Sequence, residues 1–294
     1  MFFKCKGSGG AVVTIDGVEV EDDLALSSGV MDANNMSTLP YPFSNGGAVV
    51  HDNEIHIMGS GNSDYRTNHY KYNGSSWTSV STLPYKFVSG SVVILSEQIH
   101  ILGSNGATKS HYKYNGTSWT SVSTLPYSFY YGGAVIYQDE MHILGSSAGG
   151  TNHHKYNGTS WTALSSIPYE FCQGCAVVLN NEIHLLGCNT SSYQKYHYKW
   201  DGTSWTKLSN LPYLFYGGSA VVHQNEIHIM GTLDSSYQKY HYKYNGTSWT
   251  SVSTLPYNFC IGGAVVHQDT INLLGGSNVS PYTQHYEICK EYLY

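Results

Sequence analysis

Short runs in which apolar and polar residues alternate recur along the chain, separated by glycine, proline and turn pairs. The first complete set contains, in order, Gly46-Gly-Ala-Val-Val, Glu54-Ile-His-Ile-Met, His69-Tyr-Lys-Tyr and a short run that begins at Trp77. The period of two, together with the β-branched and aromatic composition, predicts four short antiparallel strands and leaves little room for helices.

The set of four strands repeats at a nearly constant step. A leucine- or isoleucine-proline-tyrosine sequence marks each repeat, with its proline at Pro40, Pro84, Pro126, Pro168, Pro212 and Pro256. Successive prolines are 44, 42, 42, 44 and 44 residues apart, and the stretch from His241 to Phe259 differs from His111 to Phe129 at one residue. Four antiparallel strands at this spacing are typical of the blade of a β-propeller, so the sequence predicts an all-β propeller of six blades.

The sixth repeat lacks its fourth strand, because its third run, His285-Tyr-Glu-Ile, is not followed by a tryptophan strand. We expect the missing strand at the other end of the array, at about Val30 to Leu39, where Ser37-Thr-Leu-Pro-Tyr matches the close of the other fourth strands. The sequence therefore predicts one propeller domain over residues 30–294, with a ring closed by an N-terminal strand that completes the last blade.

Residues 1–29 stand outside the repeats and carry one compact signal. Val12-Val-Thr-Ile and Val18-Glu-Val-Glu flank Asp16-Gly17, a pair typical of a tight primed turn. We predict a hairpin. It is interpreted either as an arm packed on the propeller or as an element that attaches the protein to a larger assembly and displays it in multiple copies.

Composition argues against several classes of partner. The formal net charge is −6 and Arg66 is the only arginine, so there is no basic stripe to track phosphates, and nucleic acid is not an expected partner. No apolar run has the length of a signal peptide or a membrane span, which predicts synthesis in the cytoplasm without membrane insertion. Polarity is carried instead by 27 tyrosines and by serine, threonine and asparagine, which favours adaptable hydrogen bonding around rigid aromatic contacts.

Cysteine and histidine both invite a metal hypothesis. The six cysteines show no framework spacing and are expected to be thiols; Cys172 and Cys175 are interpreted as structural substitutions, because other repeats carry Gly133 and Gly263 at the second position. Histidines recur in two sets, at His56, His100, His142, His184 and His228, and at His69, His111, His153, His197, His241 and His285. Copies on separate blades cannot converge on one ion, so we predict packing or hydrogen bonding and no metal or cofactor.

An asparagine-glycine pair separates the third and fourth runs of most repeats. Asn73, Asn115, Asn157 and Asn245 stand in Asn-Gly-Ser/Thr glycosylation sequons, but Asn-Gly is also what a primed hairpin turn demands. Asp201-Gly202 fills the fifth copy and is not a sequon. The turn is therefore the predicted cause of the repetition.

The repeats resemble the kelch family over about residues 30 to 294. The resemblance rests on the strand order, the aromatic pair Tyr72 and Trp77, the leucine-proline step and the glycine that ends the second strand. The double glycine usual in kelch repeats is present only at Gly275-Gly276, and the usual arginine after the proline is replaced by Tyr41 and Phe43. The near-identical, tyrosine-rich units resemble kelch-like proteins of bacteriophages and gut Firmicutes.

Sequence variation is concentrated in two places, the loop after the second strand and the residues after each Leu-Pro-Tyr. In a four-stranded up-and-down blade both places emerge on the same face, opposite the constant turns. A constant scaffold that presents a varied face rich in Tyr, Asn, Ser and Gly indicates a binding module. The candidate ligand-binding residues are Tyr65, Arg66, Lys86, Tyr130, Tyr131, Glu170, Tyr193, Gln194, Tyr216, Tyr237, Gln238 and Tyr282.

Tyrosines beside amides and hydroxyls suit sugars, whose C–H faces stack on aromatic rings, and they also suit peptides. We predict a non-enzymatic recognition module, an adhesin or receptor-binding protein of a phage virion or a cell surface, which binds a cell-surface glycan or protein. A virion component is made in the cytoplasm without a signal and acts outside the cell, which agrees with both the composition and the lack of a signal sequence.

Two alternatives remain. The first is an enzyme acting on a sugar or alcohol, since the kelch resemblance includes oxidoreductases and sugar isomerases. Its ionisable candidates lie on different blades without an evident acid and base pair: Asp64, Arg66, Lys86, Lys109, Glu170 and Asp234. The second alternative is an intracellular protein-docking hub.

Overall fold

The computed structural model describes residues 12–15, 18–21 and 33–288, except 107–108, 149, 191, 193 and 277–281. These residues form six four-stranded antiparallel sheets and one two-stranded hairpin. One short 3-10 helix, Ser63–Tyr65, interrupts the strands of the first repeat. In this part of the chain no helix is long and apolar enough to span a membrane.

The hairpin consists of β1 (Val12–Ile15) and β2 (Val18–Glu21). The first strands of blades 1 to 6 are β4 (Gly47–His51), β8 (Ser91–Leu95), β12 (Gly133–Tyr137), β16 (Cys175–Leu179), β20 (Ser219–His223) and β24 (Gly263–His267). The second strands are β5 (Glu54–Met58), β9 (Gln98–Leu102), β13 (Glu140–Leu144), β17 (Glu182–Leu186), β21 (Glu226–Met230) and β25 (Thr270–Leu274). The third strands are β6 (His69–Tyr72), β10 (His111–Tyr114), β14 (His153–Tyr156), β18 (His197–Trp200), β22 (His241–Tyr244) and β26 (His285–Ile288). The fourth strands are β7 (Trp77–Ser79), β11 (Trp119–Ser121), β15 (Trp161–Ala163), β19 (Trp205–Lys207), β23 (Trp249–Ser251) and, in blade 6, β3 (Ala33–Asn35).

The ring closes as the sequence predicts. Strand β3 pairs with β26 in antiparallel register, with Asn35 opposite Tyr286. The Met36 amide then donates to the His285 carbonyl at 2.8 Å, as the Val80 amide does to the His69 carbonyl in blade 1. Each first strand also contacts the first strands of both neighbouring blades, so the six first strands surround the axis. The six-bladed propeller is therefore confirmed, together with its closure by the N-terminal strand.

The hairpin predicted near the N-terminus is also present. Strands β1 and β2 are antiparallel, with Val13 opposite Val20 and Ile15 opposite Val18. The predicted turn residues 16–17 lie outside the described residues. The role of this segment as an arm or attachment element stays a prediction.

The Leu-Pro-Tyr motif and the glycine that ends each second strand are partners. The Tyr41 hydroxyl donates to the Gly59 carbonyl at 3.1 Å, and the corresponding tyrosine of every other blade makes the same bond. The glycine has a left-handed backbone, with φ of 65° at Gly59, and a side chain there would lie 2.1 Å from the Phe87 carbonyl oxygen of the next blade. Phe43 and its five counterparts are fully buried. The Tyr-x-Phe sequence that departs from the kelch pattern is therefore scaffold.

The blades have two kinds of turn, and the one between the third and fourth strands differs from the predicted primed turn. Between first and second strands both central residues are left-handed, as in Asp52 and Asn53 with φ of 49° and 57°, which is the primed turn. Between third and fourth strands Asn73 keeps a negative φ, and only Gly74, at 96°, is left-handed. Asn73 Oδ1 accepts from the amides of Ser75 and Ser76, both at 3.0 Å. The primed-turn prediction for Asn-Gly is therefore wrong, because the asparagine forms an Asx turn instead.

The two histidine sets meet in pairs inside the blades. His56 Nδ1 lies 2.8 Å from His69 Nε2, and four further blades repeat this buried contact. In blade 6 Asn272 takes the place of the first histidine, and its Oδ1 accepts from His285 Nε2 at 2.9 Å. Five of the six second-set rings also pack on aromatic rings of the next blade, as His69 does on Tyr114 and Trp119. The hydrogen-bonding interpretation of the histidines is confirmed.

Candidate functional site on the loop face

The two variable parts of each repeat lie on one face of the propeller, which we call the loop face. It comprises the loops between second and third strands and the crossovers that follow each Leu-Pro-Tyr. Backbone bonds tie the two parts together in blades 1 to 5, for example from the Asn105 amide to the Val88 carbonyl at 2.9 Å and from the Asn189 amide to the Cys172 carbonyl at 2.9 Å. The opposite turn face comprises the turns between first and second strands and between third and fourth strands.

A closed cycle of six backbone hydrogen bonds surrounds the axis at the loop face. The Ser89 amide donates to the Asn45 carbonyl at 2.7 Å, and the same bond passes from blade to blade until the Asn45 amide donates to the Ile261 carbonyl at 2.7 Å. All six residues have left-handed φ values, between 50° and 60°. The members of the cycle are Asn45, Ser89, Tyr131, Gln173, Gly217 and Ile261. Because each amide and carbonyl has its partner within the cycle, the backbone here is rigid and satisfied.

This cycle and the glycine after each member line a shallow depression of about 130 Å³. Ligand pockets for small molecules usually measure about 300 to 1,000 Å³. Tyr131 is the single ionisable side chain of its lining, which otherwise offers the amides of Asn45 and Gln173, the hydroxyl of Ser89 and the apolar Ile261. The depression has the chemistry of a contact surface with a few polar groups.

Four of the candidate residues occupy one equivalent position and hold the frame of the loop face with their backbones. The carbonyl of Arg66 accepts from the Phe87 amide at 2.8 Å, and those of Gln194, Gln238 and Tyr282 accept from the next crossover phenylalanine at 3.0 Å. Gln238 is itself buried. The Arg66 guanidinium lies 3.4 Å from the Gly61 carbonyl in its own loop. These residues position the surface as well as belonging to it.

The loop tyrosines pack against the motif tyrosines of their own blades. The ring of Tyr65 stacks on that of Tyr41, with centroids 5.5 Å apart, and Tyr237 lies 6.0 Å from Tyr213. Both loop tyrosines are half-buried. The ring of the motif tyrosine therefore lies under part of each loop tyrosine and holds it in place. Tyr193 lies outside the described residues.

The remaining candidates are distributed over separate crossovers. Lys86 and Glu170 are exposed, whereas Tyr130, Tyr131 and Tyr216 are half-buried. The rings of Tyr130 and Tyr131 are 5.8 Å apart, and Tyr131 alone of these reaches the central depression. Burial, followed by the charge of Asp234, raises the pKa of Tyr216. These residues share the loop face but do not converge on one cavity.

Two further tyrosines at the rim of the loop face were not among the sequence candidates. Tyr240 is 36% exposed, more than any other large hydrophobic side chain in the described part of the chain. With Tyr213, Tyr237 and Tyr242 it forms what we call the blade 5 tyrosine cluster, in which the rings of Tyr240 and Tyr237 are 5.1 Å apart. Tyr196 is its counterpart in blade 4, where the Lys207 ammonium lies 3.7 Å from the ring centre. The sequence could have indicated these two tyrosines, because the other repeats carry Asn, Ser or Gln at the same position, as in Asn68.

The structure brings no acid and base pair together among the ionisable candidates of the enzyme alternative. Asp64 and Lys109 are exposed, and the Asp64 amide is bonded to Asn62 Oδ1 at 3.1 Å within the same loop. Asp234 Oδ1 accepts from the Ser236 amide at 2.9 Å. Among the described residues no group of three or more His, Cys, Asp or Glu side chains is arranged to hold a metal ion.

Comparison with known proteins supports the fold. No protein-family model and no curated protein matches this chain. The solved structure of YjhT matches it with a TM-score of 0.74 at 12% sequence identity, over 86% of this chain and 95% of that chain. In all, 377 chains of solved structures match, so the architecture is widely used and does not by itself indicate a function. The chain is a six-bladed β-propeller, as the kelch resemblance implies, with a fold suited to presenting a binding surface.

Proposed function

We propose that this protein is a non-enzymatic recognition module that binds a glycan or protein through its loop face. The observation that carries the proposal is the contrast between one invariant frame and the side chains mounted on it. Six equivalent positions join in one cycle of backbone bonds, yet they carry Asn45, Ser89, Tyr131, Gln173, Gly217 and Ile261. A frame that fixes the backbone while the side chains vary is what a binding surface requires.

The chemistry of the rim favours a sugar. The ring of Tyr240 packs against Tyr237 and Tyr242 and stays 36% exposed, so part of it is accessible to a ligand. A tyrosine immobilised in this way loses little conformational entropy on binding, and its ring accommodates the C–H face of a sugar. Amides and hydroxyls on neighbouring loops supply hydrogen bonds to the sugar hydroxyls.

The central depression gives further support to binding rather than catalysis. Its lining offers Tyr131 but no carboxylate, imidazole or amine, which are the usual general acids and bases. Its volume of about 130 Å³ is small for an enclosed substrate. This observation favours the recognition module over the enzyme acting on a sugar or alcohol.

A shallow aromatic site implies weak single contacts. Stacking one or two rings on a sugar should give a Kd of about millimolar to micromolar, and linking several copies raises the avidity by about 10²- to 10⁴-fold. We therefore propose that the protein acts as an adhesin or receptor-binding component of a virion or cell surface, displayed in several copies through residues 1–29. The tyrosine-rich repeats, which resemble those of bacteriophage and gut Firmicutes proteins, agree with this role.

A glycan array on the purified protein, followed by titration of the best ligand, tests the proposal. Replacing Tyr240 with alanine should weaken binding at least tenfold, while Tyr240→Phe should retain most of it because the ring stays. The matched control is Lys113→Ala on the turn face, which should bind like the unchanged protein. Circular dichroism spectra must agree among all variants.

Four outcomes test the proposal. Loss of binding in Tyr240→Ala alone supports the loop face as the site. If Lys113→Ala lost binding while Tyr240→Ala retained it, the ligand would bind the turn face, and the proposal would be overturned. Turnover of a sugar or alcohol by the unchanged protein would favour the enzyme. Binding of peptides but no glycan would overturn the sugar assignment and indicate a protein ligand, as for the docking hub.

A further inference from the structure

Two thiols meet on the loop face of blade 4. Cys172 Sγ lies 3.8 Å from Cys188 Sγ. Cys172 directly follows the buried Phe171 in the crossover and is half-buried, whereas Cys188 directly follows Gly187 in the next loop and is buried. The Asn189 amide donates to the Cys172 carbonyl at 2.9 Å, so the backbone already holds the two segments together.

The sequence drew attention to a different pair, Cys172 and Cys175. Cys175 Sγ donates to the Gly218 carbonyl at 3.4 Å. The hydroxyl of Ser91 donates to the Gly132 carbonyl at 3.0 Å in the same way. Cys175 is therefore a structural substitution, as predicted, and the true neighbour of Cys172 is the cysteine 16 residues along the chain.

Comparison of the blades shows that the scaffold requires neither thiol. The position of Cys188 is Ser60, Ser104, Ser146, Thr232 or Gly276 in the other repeats. The Ser104 hydroxyl donates to the Lys86 carbonyl at 2.8 Å, and Cys188 Sγ makes the matching bond to the Glu170 carbonyl at 2.9 Å. The position of Cys172 is Ser44, Val88, Tyr130, Tyr216 or Cys260 elsewhere. Only blade 4 carries a thiol at both positions.

We propose that Cys172 and Cys188 form a redox-active dithiol that a peroxide converts into a disulfide. The thiolate of the pair attacks one oxygen of hydrogen peroxide, the O–O bond breaks, and a sulfenic acid forms while the departing hydroxide takes up a proton as water. The second sulfur then loses its proton and attacks the sulfenic sulfur, the S–S bond forms, and the S–O bond breaks to release a second water. Two thiols are oxidised by two electrons and one peroxide is reduced to two waters.

The surroundings of the pair favour this reaction over oxidation of the other described cysteines. A hydrogen bond from the Cys172 thiol, helped by the backbone amides of Thr190 and Cys172, lowers the pKa of Cys188 to about 6 against the opposing effect of burial. The same pairing raises the pKa of Cys172, so the first proton leaves Cys188, which then gives up its bond to the Glu170 carbonyl while Cys172 stays protonated. Burial raises the pKa of Cys175 to about 12 and that of Cys260 to about 11, which keeps both as unreactive thiols.

The disulfide links the crossover into blade 4 to the loop after β17. A disulfide requires the two sulfurs to close from 3.8 Å to about 2.05 Å, a shift that a change of side-chain rotamer can supply. It would close a short covalent loop within one blade, where the stabilisation comes mainly from restricting the unfolded chain. Oxidation would thereby make the blade 4 part of the loop face more rigid, whatever ligand that face binds.

The experiment treats the full-length protein with hydrogen peroxide and maps thiols by alkylation and peptide mass spectrometry without reduction. We expect a linked Cys172–Cys188 peptide with the loss of two hydrogens, a rise in Tm of roughly 5 to 10 °C, and reversal by dithiothreitol. Cys188→Ser, which installs the residue of blades 1 to 3, and Cys172→Ser, which installs that of blade 1, should each abolish the link and the rise. Cys175→Ser is the matched control and should retain both.

Two results would overturn the proposal. One is a folded, peroxide-treated protein in which Cys172 is sulfinic acid or unmodified thiol and no link to Cys188 is found. The other is an equal rise in Tm in the two serine variants. If one serine variant fails to fold, the other still gives the readout, because removal of either sulfur prevents the link.

Discussion

The turn face and the loop face are built from the same six blades but use sequence in opposite ways. On the turn face the same side-chain pairs recur: Lys71 meets Glu54 at 2.7 Å in blade 1, and blades 3, 4 and 5 repeat the ion pair. On the loop face the backbone bonds recur while the side chains differ from blade to blade. A residue that recurs in every blade therefore indicates a contact within the scaffold. Side chains that differ between blades while the backbone bonds stay the same indicate a surface that the scaffold does not need.

The buried histidine pairs of the scaffold predict a steep loss of stability in acid. Burial is the first cause that lowers the pKa of the paired histidines, to about 4 at His56, His100, His142 and His184 and to about 3 at His69, His111, His153, His197 and His228. The neutral ring is the folded form, so its stabilisation is complete above the unfolded pKa of about 6.5 and is lost as the pH falls towards 4. Each such histidine costs about 1.4 kcal/mol per pH unit, and the nine together cost about 12 kcal/mol per pH unit, which is comparable to the stability of a whole domain. We expect cooperative unfolding between about pH 6 and pH 4.5, measured by tryptophan fluorescence.

Blade 6 supplies the control, because Asn272 replaces a histidine there and still bonds to His285. A protein carrying His56→Asn, His100→Asn and His142→Asn should take up about three fewer protons on unfolding. The dependence of its unfolding free energy on pH should therefore be shallower, whatever its stability at pH 7. An unchanged slope, or a native protein that remains folded at pH 4, would show that the histidines are already charged in the folded state.

Ring closure is the next largest effect. Removing residues 1–40 deletes β3, the bond from the Met36 amide to His285, and Leu39, which is 4% exposed in the cluster around Tyr41 and Phe43. A fully buried side chain contributes at most about 1.5 to 3 kcal/mol, and a hydrogen bond about 1 kcal/mol. The truncation should lose several kcal/mol in urea unfolding and oligomerise, whereas removal of residues 1–29 should not. Equal Tm values for the two truncations would contradict closure.

Substitution of a scaffold glycine should reduce stability more than substitution of a surface glycine in the same loop. Gly103 has φ of 57° and a side chain there would lie 1.9 Å from the Phe129 carbonyl oxygen, while Gly106 in the same loop has φ of 101° and open space around it. Gly106→Ala should cost about 1 to 2 kcal/mol of backbone strain, and Gly103→Ala about 1 to 3 kcal/mol more for the clash. Urea unfolding measures both. Similar losses of stability in the two variants would mean that the crossover containing Phe129 moves aside to relieve the clash at Gly103.

The repeats allowed almost the whole scaffold to be predicted from sequence, because each scaffold contact joins residues at fixed offsets. The Tyr41 hydroxyl and the Gly59 carbonyl are 18 residues apart, and the same separation recurs in every blade. The loop face was predicted as a region but not in detail. Tyr65 turned inward onto Tyr41, and Tyr240 became exposed, because loop side chains are placed by contacts that occur once. The meeting of Cys172 with Cys188 was missed for the same reason, since only blade 4 contains it.

The smallest expected effect concerns blade 2, in which the Lys–Glu ion pair of the turn face is missing. In blade 2 the position of Glu54 is occupied by Gln98, which lines a cleft of about 90 Å³ together with Lys113 and Leu95. Among the described residues Lys113 has no carboxylate within ion-pair distance. Gln98→Glu would restore the pair seen in the neighbouring blades.

Such a pair is partly exposed, with Lys199 and Glu182 of blade 4 at 31% and 26%, so solvent screens it and the gain should be only about 0 to 1 kcal/mol. The matched reverse change is Glu182→Gln, because Leu179 of blade 4 stands where Leu95 stands in blade 2. Unfolding in urea at low salt should show a gain for the first variant and a similar loss for the second, and both should shrink in 1 M NaCl. A gain that persists in high salt would come from packing in the cleft, and the repeated ion pairs would then be a consequence of shape and not of charge.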